Sequence, residues 1–192
     1  MILTGDDKDT IIVGDGTNTI NAGHGTNNIT AGSGDNEITS GDGKDDIRLG
    51  DGNNDIWFEG GNNKISSGDG FNFIVTHDGH DTIKVGNGFN EILAGDGNNR
   101  VDAGTGENYI ITGDGNDTIR VKGRENTIDA GNGKNSISSG DGDNDIRTGD
   151  GNDTIKLGSG TNRIRDEGAG QRIRPNMGIG GITPAMKLKM AA

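Results

Sequence analysis

The sequence predicts an all-β solenoid built of nine-residue rows, and three observations support this fold class. Isoleucine returns every nine residues from Ile2 to Ile173, with Val101 as the single substitute. In most rows, glycine stands at the first and third places, ahead of the isoleucine. The residues around each isoleucine follow a strand-like alternation. Because so short a unit can bury its apolar side chain only against its neighbours, the rows must form a continuous stack.

Each row is predicted to be a tight turn followed by a short strand. The row at 113–121, GDGNDTIRV, shows the pattern. Glycine at the first and third places permits the positive φ angles of a tight turn. Side chains alternate along a strand, so the fifth, seventh and ninth places share one side and the sixth and eighth the other. We therefore expect the Asx residue, the isoleucine and a small residue to face the interior.

A second period of 36 residues overlies the first. The fifth place is Asp in every fourth row, and it is Asn in the rows between until Gln171. These aspartates are Asp9, Asp45, Asp81, Asp117 and Asp153. The longer period leaves two architectures open. Either one turn of the solenoid contains two rows, 18 residues, or it contains four rows, 36 residues.

Apolar residues at the variable, outward places favour the turn of 18 residues. With two rows per turn they form one continuous strip on one sheet, whereas four rows per turn would divide them between two faces. We call this set the apolar strip: Trp57, Phe71, Phe73, Val75, Phe89, Leu93, Tyr109 and Ile111. An apolar strip on a polar rod is typical of a contact surface, here for a protein partner or a second copy. The alternative is that some of these side chains turn inward and fill a wide solenoid.

The composition narrows the range of functions. The chain has 38 glycines and no cysteine in 192 residues, which excludes disulfide and zinc–thiolate frameworks and suits an exported bacterial protein. Its net charge of −12 argues against nucleic-acid binding, which requires clustered Lys and Arg, and makes a cation the natural partner. No apolar stretch reaches the length of a membrane span, and the repeat begins at Ile2 with no visible signal peptide.

Over residues 5–173 the rows resemble the RTX nonapeptide of hemolysin-type calcium-binding proteins, Gly-Gly-x-Gly-x-Asp-x-apolar-x. The resemblance implies a right-handed parallel β-roll or β-helix with Ca²⁺ between successive turns. It also implies that the Asp carboxylate and the turn carbonyls hold the ion, so calcium is the expected cofactor. Here the ligand Asp is kept only in Asp9, Asp45, Asp81, Asp117 and Asp153, and the family's first glycine is replaced.

Two rows per turn would give the solenoid two different edges. On one edge the five aspartates alternate with asparagines, which are Asn27, Asn63, Asn99 and Asn135. The other edge has only asparagine from Asn18 to Asn144. Calcium affinity falls as carboxylates are replaced by neutral oxygens, so we expect calcium only on the first edge. The second edge is predicted to be a metal-free ladder of hydrogen-bonded amides.

Three classes of function are compatible with the sequence. The first is a non-enzymatic calcium-binding structural or adhesive module of an exported bacterial protein, secreted or at the cell surface. The second is a metal-free asparagine-ladder solenoid acting as a secreted effector or protein-binding scaffold. The third is a polysaccharide-active β-helix, although the rows lack the long loops of a catalytic groove. The solenoid is expected over residues 1–175, and residues 176–192 are expected to cap the last turn or to serve in export or docking.

Overall fold

The computed structural model describes residues 1–168 and the backbone of residues 172–175. In that part of the chain there are twenty β-strands and no helix, so no described helix could cross a membrane. The odd-numbered strands form one ten-stranded sheet and the even-numbered strands form another; we call them the odd sheet and the even sheet. The predicted tail at residues 176–192 lies outside the described residues.

The strands are short, as expected for one strand per nine-residue row. The odd sheet contains β1 (Ile2–Leu3), β3 (Asn18–Asn21), β5 (Asn36–Asp42), β7 (Asn54–Gly60), β9 (Asn72–Val75), β11 (Asn90–Leu93), β13 (Glu107–Ile111), β15 (Glu125–Asp129), β17 (Asp143–Thr148) and β19 (Arg163–Asp166). The even sheet contains β2 (Thr10–Ile12), β4 (Asn28–Ala31), β6 (Asp46–Leu49), β8 (Lys64–Ser66), β10 (Thr82–Val85), β12 (Arg100–Ala103), β14 (Thr118–Val121), β16 (Ser136–Ser139), β18 (Thr154–Leu157) and β20 (Arg172–Pro175).

The strand register decides between the two predicted turn lengths. Each strand pairs in parallel with the strand two further along the chain, and the paired residues are 18 positions apart, as in Ile2↔Ile20 and Ile83↔Val101. The prediction of 18 residues per turn is therefore confirmed. Adjacent strands of a sheet lie about 4.8 Å apart, so ten stacked strands make a rod about 43 Å long.

The core consists of two facing columns of isoleucines, one from each sheet. From Ile20 to Ile155 the residues at the seventh place are buried, and the ninth place adds smaller apolar side chains such as Ala22 and Val85. Phe58 is the largest fully buried side chain among the described residues. Each isoleucine thus packs against the turns directly before and after it, which explains why the sequence repeats so strictly.

The turns stack as closely as the strands, and the third place of the row shows why glycine recurs there. Gly97 has a φ of 133°, in the left-handed region. A Cβ atom added to Gly97 would collide with the carbonyl oxygen of Gly79 in the previous turn. The close approach of successive turns therefore leaves little room for a side chain at the third place. At the first place of a row, His77 is the one described non-glycine residue with a positive φ, at 54°.

Candidate metal centre

The edge that begins the strands of the odd sheet is a ladder of asparagine side chains. We call the column from Asn18 to Asn162 the asparagine edge. At Asn72 the Nδ2 atom donates to Oδ1 of Asn90 at 2.8 Å and to the carbonyl oxygen of Gly68 at 3.2 Å. The same amide-to-amide bond recurs from Asn18 to Asn162. The predicted hydrogen bonds from turn to turn and to the turn backbone are thus present.

The opposite edge uses its side chains differently. We call the column that alternates Asp and Asn from Asp9 to Asp153 the aspartate edge. The backbone N–H of Asn63 donates to Oδ1 of Asp81 at 2.7 Å, and the N–H of Asp81 donates to Oδ1 of Asn99 at 3.0 Å. Every side chain on this edge from Asn27 to Asp153 thus offers Oδ1 to the backbone of the previous turn, whether it is Asp or Asn.

The second oxygen of each aspartate has no such role. Oδ2 is buried and has no hydrogen-bond partner among the described residues at Asp9, Asp45, Asp81, Asp117 and Asp153. In the neighbouring Asn99, the Nδ2 atom donates to the turn carbonyl oxygens of Gly95 at 3.0 Å and Gly97 at 3.5 Å. Because Oδ1 has the same role in both residue types, Oδ2 of an aspartate takes the place of that amide nitrogen. A carboxylate has no proton to donate to the turn carbonyls, so the aspartates lack the amide-to-carbonyl bonds of the asparagines.

The surroundings of these carboxylates disfavour their negative charge. Asp45, Asp81, Asp117 and Asp153 are each 1% exposed. Burial raises the pKa of Asp45 and Asp117, and it raises the pKa of Asp81 to about 6. The backbone N–H groups that donate to Oδ1 and the polar hydroxyls nearby lower these pKa values but do not offset burial. Either a proton or a cation at Oδ2 would relieve this cost.

The donor set fits a hard cation. Calcium prefers carboxylate and carbonyl oxygens and takes six to eight of them. Each aspartate row offers an unpartnered carboxylate oxygen beside turn carbonyls, and such rows recur every two turns, about 9.6 Å along the rod. With one carboxylate per site and neutral oxygens otherwise, the affinity should be low, on the order of the 10⁻⁴–10⁻³ M of extracellular calcium modules.

A family model described as the RTX calcium-binding nonapeptide repeat matches the chain in overlapping segments. The matched residues are 3–38, 23–56, 59–92, 93–121, 122–155 and 129–164. The chain belongs to this family. No curated protein and no solved structure matches it. Family and fold together support a calcium-binding repeat module, a kind that is typically structural rather than catalytic.

Two histidines of this RTX chain replace an Asx residue in the turn. His80 Nδ1 accepts the backbone N–H of Asn98 at 2.8 Å, and His24 Nδ1 accepts that of Asp42 at 3.0 Å. His24, Asp42 and Glu59 also bring their ligand atoms within 4.8 Å of one another, but all three are exposed. A neutral ring whose Nδ1 accepts a hydrogen bond carries its proton on Nε2, so neither nitrogen has a free lone pair for a metal.

Sequence reasoning missed a set of buried hydroxyls beside the aspartates. It treated the ninth place of the row only as small. The structure places Ser40, Thr76 and Thr112 close enough to Asp45, Asp81 and Asp117 to influence their carboxyl groups. The 36-residue period already contained this signal, because a hydroxyl residue precedes each aspartate by five positions.

The apolar strip lies on the outward face of the odd sheet. Trp57 pairs with Val75, Val75 with Leu93, and Leu93 with Ile111 across adjacent strands. Trp57 is 43% exposed, whereas Val75 is only 7% exposed because it lies at the centre of the strip. The exposed rings are those of Trp57, Phe71, Phe89 and Tyr109, and Phe73, Leu93 and Ile111 are partly buried.

The rings of the strip also contact one another. Trp57 and Phe73 have ring centroids 5.4 Å apart, and Phe71 and Phe89 stack at 5.6 Å. A shallow groove of about 650 Å³ continues from the strip, with Phe89 and Tyr109 in its wall. The acidic residues that line it are Glu91, Glu107, Glu125, Asp143 and Asp145. The outward face of the odd sheet therefore combines aromatic and negatively charged surface.

Proposed function

We propose that this chain is the calcium-binding structural module of an exported bacterial protein. Its anionic ligands are Asp9, Asp45, Asp81, Asp117 and Asp153. The observation that carries the proposal is the recurrence, on one edge, of a buried carboxylate oxygen that has no hydrogen-bond partner. Membership of the RTX calcium-binding repeat family supports the same ion.

A bound calcium ion would supply positive charge between oxygens that otherwise repel one another. The Oδ2 atoms of the aspartates and the carbonyls of the glycine turns would hold it, while Oδ1 stays hydrogen-bonded to the backbone. Because such a site exists only when successive turns are stacked, binding stabilises the folded chain by mass action. Sites of low affinity fill where calcium is millimolar, which favours a role outside the cell in stiffening or adhesion.

Thermal unfolding with and without calcium tests this function. The melting temperature should rise with calcium concentration through the millimolar range and fall again when a chelator is added. Magnesium at the same concentration is the matched control, since it dehydrates reluctantly and demands a tighter octahedral site. Superimposable curves in calcium and chelator would instead favour the metal-free scaffold.

A second function, contact with another copy of the chain, is supported by the charge distribution. Between β6 and β18 the outward face of the even sheet presents six exposed cations and two carboxylates, those of Asp46 and Asp102. The cations are Arg48, Lys64, Lys84, Arg100, Arg120 and Lys156. The odd sheet presents the aromatic and acidic surface described above.

We therefore propose that the even sheet of one copy docks on the apolar strip and groove of another. Lysine and arginine can pack their stems on aromatic rings and place their charges over the ring faces or beside carboxylates. Both surfaces share the same repeat of 18 residues per turn, so their charges stay in register along the rod. When the even sheet of one copy binds the odd sheet of another, the pair still has one free even sheet and one free odd sheet. Further copies can add to both, which produces open chains of copies rather than closed dimers.

A further inference from the structure

The residue five positions before each member of the aspartate edge depends on whether that member is Asp or Asn. Before the aspartates it always carries a hydroxyl: Thr4, Ser40, Thr76, Thr112 and Thr148. Before the asparagines it never does: Ala22, Phe58, Ala94 and Ala130. Both sets occupy the ninth place of a row on the odd sheet, so backbone position does not distinguish them. The hydroxyl therefore accompanies the carboxylate specifically.

These hydroxyls are buried where the fold does not need them. Ser40, Thr76, Thr112 and Thr148 are all buried among the apolar side chains between the sheets. Alanine fills the same place two rows away, as Ala94 shows. Burying a hydroxyl costs free energy unless it gains a partner, so a polar group that occurs in the row before every aspartate requires a reason.

The hydrogen bonds show that the hydroxyls do not satisfy the carboxylates. Thr4 and Thr76 donate to the carbonyl oxygens of Ala22 and Ala94, both at 3.0 Å. Ser40 donates to Gly23 at 3.2 Å. The hydroxyls of Thr112 and Thr148 have no partner among the described residues, and neither do the Oδ2 atoms of the five aspartates.

Serines on the asparagine edge behave in the opposite way. Ser67 donates to Oδ1 of Asn72 at 2.5 Å, and Ser139 donates to Oδ1 of Asn144 at 2.7 Å. There the hydroxyl proton points to the side chain five positions later. On the aspartate edge the protons of Thr4, Ser40 and Thr76 go to backbone carbonyl oxygens instead, and the hydroxyls of Thr112 and Thr148 have no partner among the described residues. No hydroxyl proton is therefore shared with Oδ2 on this edge.

We propose that each of these hydroxyls is a neutral ligand of the cation held by the aspartate five residues later. The site is then a Ser/Thr hydroxyl, a carboxylate Oδ2 and the turn carbonyls, repeated every two turns along the aspartate edge. This inference rests on the proposed calcium binding and adds an oxygen ligand from the strand of the preceding row. It also accounts for the alanine or phenylalanine found five positions before each asparagine of the aspartate edge, because an asparagine position needs no such ligand.

Alanine substitution of the three threonines beside the most buried sites tests the inference. The variant carries Thr76→Ala, Thr112→Ala and Thr148→Ala, and the chain already accepts alanine at this place in other rows. Calcium binding is measured by isothermal titration, together with the calcium dependence of the melting temperature. We expect the affinity of the altered sites to fall roughly tenfold, the lower end of the effect of losing a supporting group at a metal site.

Two further variants make the result specific. Serine at the same three positions keeps the hydroxyl and should retain the affinity of the parent. Ser67→Ala with Ser139→Ala removes hydroxyls from the asparagine edge and should leave calcium binding unchanged. If the alanine variant binds calcium as tightly as the parent, the hydroxyls are not ligands, although the proposed calcium binding stands. A parent chain that takes up no calcium overturns both proposals.

Discussion

Asp81 and Asn99 are consecutive members of one hydrogen-bonded column, in which the N–H of Asp81 donates to Oδ1 of Asn99 at 3.0 Å. Both side chains use Oδ1 in the same way, as the bond from Asn63 to Asp81 also shows. They differ only in the second atom. In Asn99 that atom is a nitrogen that donates to the turn carbonyls, and in Asp81 it is an oxygen without a partner. A single atom thus separates a ladder position from a proposed cation site.

Replacing aspartate by asparagine on this edge should therefore extend the ladder. In calcium-free buffer, Asp81→Asn and Asp117→Asn should each stabilise the fold by about 1–3 kcal/mol, because a buried acceptor without a partner becomes a donor that has one. The same variants should reduce the rise in melting temperature caused by calcium. Thermal unfolding in chelator and in millimolar calcium measures both effects.

Asp15 provides the matched control for these substitutions. Its Oδ1 accepts the N–H of Ser33 at 2.7 Å in an exposed turn of the asparagine edge, so Asp15→Asn keeps that bond and removes no buried charge. Neither the calcium-free stability nor the calcium response should change. Destabilisation of the calcium-free chain by Asp81→Asn would contradict the idea that Oδ2 occupies the place of an amide nitrogen.

The sequence predicted the repeat more completely than the sites. The spacing of isoleucine and the continuity of the apolar strip predicted both the solenoid and its 18 residues per turn, since every turn repeats the same contacts. The Asn72–Asn90 bond followed from the same logic. The unpartnered Oδ2 atoms and the orientation of the Thr76 hydroxyl could not be predicted in this way, because they depend on which atom of the adjacent turn a side chain reaches. The same holds for the burial of Val75.

Stability without calcium should depend on pH in the direction set by buried carboxylates. The pKa of Asp81 is raised to about 6 in the fold, and those of Asp45 and Asp117 are raised as well. The folded chain therefore holds more protons than the unfolded chain between about pH 4 and pH 6. The contribution of these three carboxyl groups to the free energy of unfolding is present at the acid end of this window and is lost as the pH rises through 6.

Melting temperatures between pH 4 and pH 8 in chelator test this dependence. Asp81→Asn with Asp117→Asn should flatten the fall between pH 4 and pH 6. Asp69 acts in the opposite direction, because hydrogen bonds from Asn87 lower its pKa and its contribution is lost as the pH falls. If the calcium-free chain instead becomes steadily more stable from pH 4 to pH 7, exposed carboxylates with lowered pKa values, such as Asp69, determine its pH dependence.

Alanine substitution of three glycines distinguishes the cost of a strained φ angle from the cost of a steric collision between turns. Gly97 has a positive φ and would collide with Gly79 if it carried a Cβ. Gly16 has a φ of 113° but an added Cβ would meet nothing within 4 Å. Gly14 has neither constraint. We expect Gly14→Ala to be neutral, Gly16→Ala to cost about 1–2 kcal/mol through strain alone, and Gly97→Ala to cost more.

Denaturant unfolding of the three alanine variants gives the ranking. Equal losses for Gly16→Ala and Gly97→Ala would mean that φ alone determines the need for glycine, and that the stacked turns can move apart. A larger loss at Gly97 would show that the close approach of successive turns is itself a constraint on the sequence.

Association between copies should be sensitive to salt and should require both faces of the rod. Neutralising the groove with Glu107→Gln and Glu125→Gln, or the opposite face with Lys84→Gln and Lys156→Gln, should each prevent open chains from growing. Mixed together, the two variants retain one intact face each and should stop at a one-to-one complex. Sedimentation velocity at low and high salt distinguishes these species. Growth of long assemblies by either variant alone would contradict the pairing of odd and even faces.

Trp57 tests the contribution of the apolar strip to the same contact. Its ring is 43% exposed, it packs on Phe73, and its Nε1 donates to Asp55 at 2.7 Å, so it lies on the surface rather than in the isoleucine columns. Trp57→Ser should weaken association by about 2 kcal/mol, roughly thirtyfold, as expected for an aromatic residue central to an interface. The melting temperature of the isolated chain should hardly change. Ile12→Ser is the control, since Ile12 is 77% exposed but lies in β2, outside the stretch from β6 to β18 that carries the cations of the even sheet. If Trp57→Ser instead lowers the melting temperature as much as a buried Ile74→Ala does, the ring stabilises the monomer and the strip is not a contact surface.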